Sequence, residues 1–147
     1  RGYDVGSAGG FIPENARLIL NEAGLEGDVI REENWINDKF ALDIDGYANT
    51  WSNLLVRLHL GCCVIKVASQ PGYRQWYYDR IRPWEHFVPV RADMTDLVEK
   101  VEWVRSHDAE AKLIAANGQA FARSMTLESE TEWAVAAICA ASGVSVT

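Results

Sequence analysis

The chain has 147 residues, 48% of them hydrophobic and 24% charged, with a formal net charge of −7. It is long enough for a real hydrophobic core. Its surplus of acid excludes non-specific nucleic-acid binding, since a phosphate backbone is held by an excess of Lys and Arg.

Residues 1–12 read as a glycine-rich, loose lead-in. Gly6 and Gly9-Gly10 follow no strand and precede no GK[ST], so they do not make a phosphate loop. Pro13 is placed as the first residue of a helix carrying Ala16, Leu18, Ile19 and Leu20, with Gly24 as its stop. Residues 28–37 are polar, anchored by Val29, Ile30 and Trp35, and read as a connection with one short strand. Residues 40–67 hold the strongest pattern. The run Phe40 to Ile44 predicts a buried strand and Asp45-Gly46 a turn. A helix follows with apolar positions at Trp51, Leu54, Leu55, Leu58 and Leu60, stopped by Gly61. Cys62 to Val67 predicts a second buried strand. Two apolar strands joined by a helix predict a crossover in a parallel sheet.

Beyond this unit, Pro71-Gly72 predicts a turn and residues 73–81 a helix of about two turns, ended by Arg82-Pro83. Its aromatics are expected in the core, and Arg74, Arg80 and Arg82 in pairs with Asp79 and Glu85. His86 to Val90 predicts a third strand, with Pro89 suited to its end. Asp93 is expected to cap a helix bearing Met94, Leu97, Val98, Val101 and Val104. A further helix from Asp108 turns Leu113, Ile114 and Phe121 inward and is broken at Gly118. Thr126 is expected to cap the last helix, with Trp133, Ala137 and Ile138 on its apolar face, and residues 142–147 to fray. Alternating strands and helices predict an α/β fold, residues 1–147 forming one domain.

Cys62, Cys63 and Cys139 give an odd count with no disulfide framework, so buried thiols in a reducing compartment are expected. His59, His86 and His107 are far apart and no CxxC occurs, so no metal-ligand spacing is present. No run approaches the roughly 18 apolar residues of a membrane span. The chain begins at Arg1, so the lack of a targeting sequence says little about its parent.

Three readings of function compete. In the first, free amides near residues 50–53 hold the diphosphate of a nucleotide-sugar. Thr50 and Ser52 hydroxyls then add hydrogen bonds, and Asp45 or Asn49 bonds a sugar or ribose hydroxyl. Thr50 and Ser52 are equally ordinary helix-start residues. In the second, the domain binds a dinucleotide, which the missing GxGxxG disfavours. In the third, it is an α/β interaction module without a ligand.

Three segments in series decide among these: IDGYANTWSNLL (44–55), YRQWYYDRIRPWEHFVPV (73–90), and DLVEKVEW followed by AANGQAFA (96–122). Through them the chain resembles the CAP10-type glycosyltransferases, glycosyltransferase family 90, with bacterial lipopolysaccharide-modifying members as the nearest match. The resemblance covers roughly residues 30–141.

It implies a Rossmann-like parallel sheet flanked by helices, the C-terminal half of a two-domain GT-B enzyme whose N-terminal domain lies outside this chain. It further implies inverting, metal-independent sugar transfer from a UDP-sugar, with no cofactor, to lipopolysaccharide or another surface glycan. The setting implied is cytoplasmic, at the inner face of a bacterial membrane. The family's catalytic carboxylate lies upstream of the matched region, so no catalytic residue is assigned and the chain alone is expected to be inactive. The family's donor loop maps onto Tyr47, Ala48, Asn49, Thr50, Trp51 and Ser52, with Asp45 and Gly46 leading into it. Leu54 stands where the animal O-glucosyltransferases carry a donor-contacting arginine, leaving Arg57, Arg74 or the missing half to supply that charge. The alternative is a non-catalytic α/β module that kept only the fold.

Overall fold

The computed structural model describes residues 14–24, 32–45 and 49–143. Contacts divide the chain into two units, Arg1–Asn37 and Asp38–Thr147. In the first, α1 spans Glu14–Glu22 and gives way to Gly24 at φ +65°, the left-handed stop that its position predicts. Pro13 lies outside the described residues. The other described element is a 3-10 helix, Glu32–Asn37; the rest of the connection expected over residues 28–37 lies outside the described residues.

The second unit is an α/β fold. β1 (Phe40–Asp43), β2 (Cys63–Val67) and β3 (Val88–Val90) form a parallel sheet in the order β1-β2-β3. α2 (Asn53–Leu60) connects the first two strands. Gly61 ends it at φ +86°, and the Cys62 N–H donates back to the Arg57 carbonyl at 3.1 Å. β2 is central and buried along its whole length, as its continuous apolar run requires. Cys63, Ile65 and Val67 face one core with Val88, Val90, Val104, Ala111 and Ile114. Cys62 and Val64 face the other, with Leu54, Leu58, Tyr77, Ile81 and Ala122.

Residues 73–81 do not form the expected helix. They run through successive turns, with Tyr78 N–H donating to Gln75 O and Arg80 N–H to Tyr77 O. The chain here follows its anchors rather than a 3.6-residue period. Tyr77 and Ile81 are buried, whereas Tyr73, Trp76 and Trp84 are about half exposed, so only part of the aromatic cluster is core. Pro89 occupies the middle of β3, not its end; an edge strand tolerates the missing N–H.

α3 spans Leu97–Ser106, starting later than expected. Asp93 closes a turn instead of capping it, accepting from Thr95 N–H at 3.2 Å and Thr95 Oγ1 at 2.8 Å. Met94 consequently sits at φ +57° and, like Val98, faces solvent. α4 runs unbroken over Asp108–Ser124. It lends Ala111 and Ile114 to one core and Ala122 to the other, so it passes from one face of the sheet to the other. Gly118 is the reason it can. A Cβ there would lie 2.7 Å from both the His86 carbonyl oxygen and Leu58 Cδ2. The glycine expected as a breaker is a close-approach point. Leu113, expected inward, is exposed.

α5 (Leu127–Ser142) opens with the expected cap. Thr126 Oγ1 accepts from Ser129 N–H, and Ser129 Oγ accepts from Thr126 N–H. None of its residues is buried, and Trp133 and Ile138 are exposed rather than packed. Its anchor is Glu130, which accepts both Arg80 Nη atoms at 2.9 and 2.6 Å and Trp76 Nε1 at 2.8 Å. Arg80 thus pairs with Glu130, while Arg74 and Arg82 find Asp79 and Glu85 as expected. Of the tail expected to fray, residues 144–147 lie outside the described residues. Among the described residues no helix is long and apolar enough to cross a membrane.

Gly118→Ala is expected to destabilise the fold by about 1–3 kcal/mol through overpacking. The measurement is a lowered urea midpoint with an unchanged m-value; an unaltered midpoint would contradict the close approach.

Candidate functional site at the carboxyl edge of the sheet

β1 and β2 each carry one charged residue within an apolar run, and the register sets Asp43 beside Lys66. The Asp43 carboxylate is fully buried. Its Oδ2 accepts from Lys66 Nζ at 2.9 Å and from Thr50 Oγ1 at 3.2 Å. Its Oδ1 accepts from Arg57 Nη1 at 3.1 Å, and the same Nη1 donates to the Leu42 carbonyl at 2.7 Å. Burial by itself would lower the Lys66 pKa, but the charge and hydrogen bond of Asp43 outweigh it and hold the ammonium raised. One carboxylate therefore ties together both strand ends, α2 and the loop between them.

Asp45 lies next to this group, its side chain only 11% exposed and both carboxylate oxygens shielded from solvent. Its Oδ1 is 3.9 Å from Lys66 Nζ and neither carboxylate oxygen has a hydrogen-bond partner. Tyr77, buried below, is pushed up in pKa first by burial and then by Tyr78, Asp43 and Asp45. Asn49 Oδ1 accepts from Trp51 N–H at 3.1 Å and from Gln75 Nε2 at 2.7 Å, which joins the loop to residues 69–76. Trp51 stands at φ +53° and is 79% exposed. It precedes α2 and does not contribute to that helix's apolar face, contrary to expectation.

The amino end of α2 carries no side-chain cap and no acidic residue in its first turn. Ser52 is exposed, Asn53 half-buried and Leu54 fully buried. The Asn53 N–H closes a turn onto the Thr50 carbonyl at 3.0 Å; the amides that follow it attract an anion where they lack a partner, and a carboxylate there would repel one.

The residues singled out in the sequence thus occupy different settings. Asn49, Trp51 and Ser52 lie at or before the open helix end. The Thr50 hydroxyl donates inward to Asp43, and Arg57 reaches back to β1. Arg74 is exposed beside Asp79, one residue from the Gln75 that holds Asn49. Gly46, Tyr47 and Ala48 lie outside the described residues. Sequence reasoning passed over Asp43, Lys66 and Gln75. The signal for the first two was present: an acid and a base, each alone inside a strand that reads as buried.

Burial pushes both adjacent thiols up, Cys63 to about 11, and neither is in a disulfide, which disfavours a thiolate nucleophile here. Among the described residues no three His, Cys, Asp or Glu side chains gather as metal ligands.

These features define an α/β protein with an open helix start over the carboxyl edge of a parallel sheet. The family model "Glycosyl transferase family 90" matches residues 15–132, and the chain belongs to that family. It is 32% identical to Protein O-glucosyltransferase 3 of Rattus norvegicus over 122 residues, covering 83% of this chain and 23% of that protein. It is 48% identical to Protein O-glucosyltransferase 2 of Danio rerio over 52 residues, 35% of this chain and 10% of the relative. "Uncharacterized protein 035R" of Invertebrate iridescent virus 3 is 36% identical over 86 residues, 58% of the chain and 8% of that protein. The chain spans less than a quarter of the length of these curated relatives.

Asp43→Ala is expected to cost about 3–5 kcal/mol, because Lys66 and Arg57 lose the carboxylate that hydrogen-bonds both, leaving buried Lys66 only Asp45, 3.9 Å away. Pairing Asp43→Leu with Lys66→Met should recover much of that loss. Urea unfolding of the single and double variants is the measurement; a single variant as stable as wild type would remove the carboxylate from its central role.

Proposed function

We propose that this chain is the donor-nucleotide-binding part of a glycosyltransferase and that a UDP-sugar is its ligand. The observation that carries the reading is the uncapped, acid-free amino end of α2 at the carboxyl edge of the sheet. There the exposed Ser52 hydroxyl and the amides after Asn53 would meet a diphosphate, and the Asn49 Nδ2 amide, its Oδ1 being engaged, would donate to a ribose or sugar hydroxyl, with the shielded Asp45 carboxylate beneath. Trp51 offers a flat apolar surface beside them. Leu54, at the family's arginine position, is locked in the core, and Arg57 is engaged with Asp43. Arg74 is therefore the better candidate to meet the diphosphate: its pairing with Asp79 is a solvent-exposed one and weak.

The transfer proposed is inverting and without a bound metal, as the resemblance implies. A carboxylate from outside this chain takes the acceptor's proton, while the amides of α2 stabilise the departing diphosphate. A two-domain GT-B parent would supply that carboxylate and exclude water from the site. For the acceptor, lipopolysaccharide or another surface glycan at the inner face of a bacterial membrane is the reading from the resemblance. The relatives' names suggest glucose as the sugar and protein as a competing acceptor class. The inward engagement of Thr50 and Arg57 favours a second reading, a module that kept the fold and lost the ligand.

Titration of the chain with UDP separates the two. Millimolar binding is expected, weakened at least about tenfold by combined Asn49→Ala and Ser52→Ala with the unfolding midpoint little changed. Arg74→Ala should weaken it as well. Absence of binding at several millimolar would leave the second reading standing.

A further inference from the structure

At the opposite, amino edge of the sheet, the segment before β3 and the second half of α4 line an open cleft of about 430 Å³. That volume is in the range of small-molecule sites, about 300–1,000 Å³. Its walls include Arg80, Arg82, Glu85, His86, Asn117 and Phe121. None of these belongs to the donor site proposed above.

One polar group here, the His86 ring, is held in a fixed orientation. Arg82 N–H donates to His86 Nδ1 at 2.9 Å, so that nitrogen is an acceptor and the ring proton sits on Nε2. Burial lowers the His86 pKa and keeps the ring neutral at pH 7. The Nε2–H is then a neutral donor, 3.6 Å from Glu85 Oε1. The Asn117 carboxamide, with two donors and an acceptor, stands on the α4 face of the cleft. The Phe121 ring lies 5.3 Å from the His86 ring at a 40° tilt and gives the cleft an apolar side.

Charge decides the ligand class. Arg80 is held by both oxygens of Glu130, and Arg82 Nη1 lies 3.4 Å from Glu85 Oε2. Two guanidiniums are thus matched by two carboxylates beside a neutral imidazole. An inorganic anion would gain only the exposed, weakly paired Arg82 and would meet Glu85. A neutral polyhydroxylated ring matches the site better. Its hydroxyls both donate and accept, as imidazole N–H, carboxamide and carboxylate require, and its C–H face can lie on Phe121.

We propose that this cleft is a second carbohydrate site, one that takes a neutral monosaccharide unit of a glycan. It is separate from the donor loop and does not depend on nucleotide binding there.

The test is an NMR titration of the isotope-labelled chain with D-glucose, D-xylose, N-acetyl-D-glucosamine and inorganic phosphate, each with and without UDP. At least one sugar is expected to move the Asn117 side-chain amide and His86 imidazole signals at millimolar concentration, equally with UDP present. Phosphate should leave them in place. Asn117→Ala, at a partly exposed helical position, and Phe121→Leu, which retains an apolar side chain, should each weaken the sugar response about tenfold. Three results would each overturn the proposal: no sugar response at tens of millimolar, a response to phosphate alone, or unaltered sugar binding in both variants. Responses at Asn49 and Asn53 report the donor site separately, so failure of one reading is distinguishable from failure of the other.

Discussion

The buried Asp43 carboxylate is the constraint on which the carboxyl edge of this domain depends. A charge so far from water is tolerated only when it is paired and hydrogen-bonded. Asp43 meets that condition with two cations and a hydroxyl drawn from β2, α2 and the loop before α2. Such a group adds little net stability over an apolar replacement of the same shape, but it admits few alternative arrangements. It fixes where Thr50 sits, and with it where the following turn delivers the first amides of α2. The chemistry at the rim therefore rests on an electrostatic arrangement one layer below it.

A second constraint acts at the other end. α4 serves both cores because Gly118 allows its backbone to approach Leu58 and the His86 carbonyl without a side chain between them. Gln119 Nε2 donates to the His59 carbonyl at 3.0 Å beside the same contact, closing α4 against the end of α2. Lys39, just before β1, pairs with Asp108 at the start of α4. The helix thus braces the amino edge, and its second half supplies one wall of the cleft there. The two rims differ in make-up: one carries the uncapped start of α2, the other an open cleft of neutral and paired groups.

α5 belongs to neither core. Its register against the body is set by Glu130, whose carboxylate receives a bidentate Arg80 and an indole N–H, with Arg80 lying 5.3 Å from the Trp133 ring. Charge-assisted bonds of this geometry hold a helix in place where apolar burial does not. Arg80 stabilises the Glu130 carboxylate and lowers its pKa, so this anchor weakens as acid protonates Glu130.

The sequence by itself determined where β1, α2 and β2 fall, their parallel pairing and the capped start of α5, though not the burial expected of β1, where Leu42 and the following Ile44 are exposed. Each of those rests on local facts: an apolar run, a glycine stop, a Thr–Ser capping pair. Family membership was legible for a similar reason, since the matched segments are continuous in the chain. Only the tertiary structure decided what residues 73–81 do, because their backbone is set by Tyr77 and Ile81 in one core and by partners on Asn49 and Glu130. It alone turned Gly118 from an expected break into a contact, a role that depends on a residue 60 positions away (Leu58). It also joined Asp43 to Lys66. Each is a charge misplaced in its own strand, and burial of the pair becomes permissible only when the register of the sheet brings them to hydrogen-bonding distance.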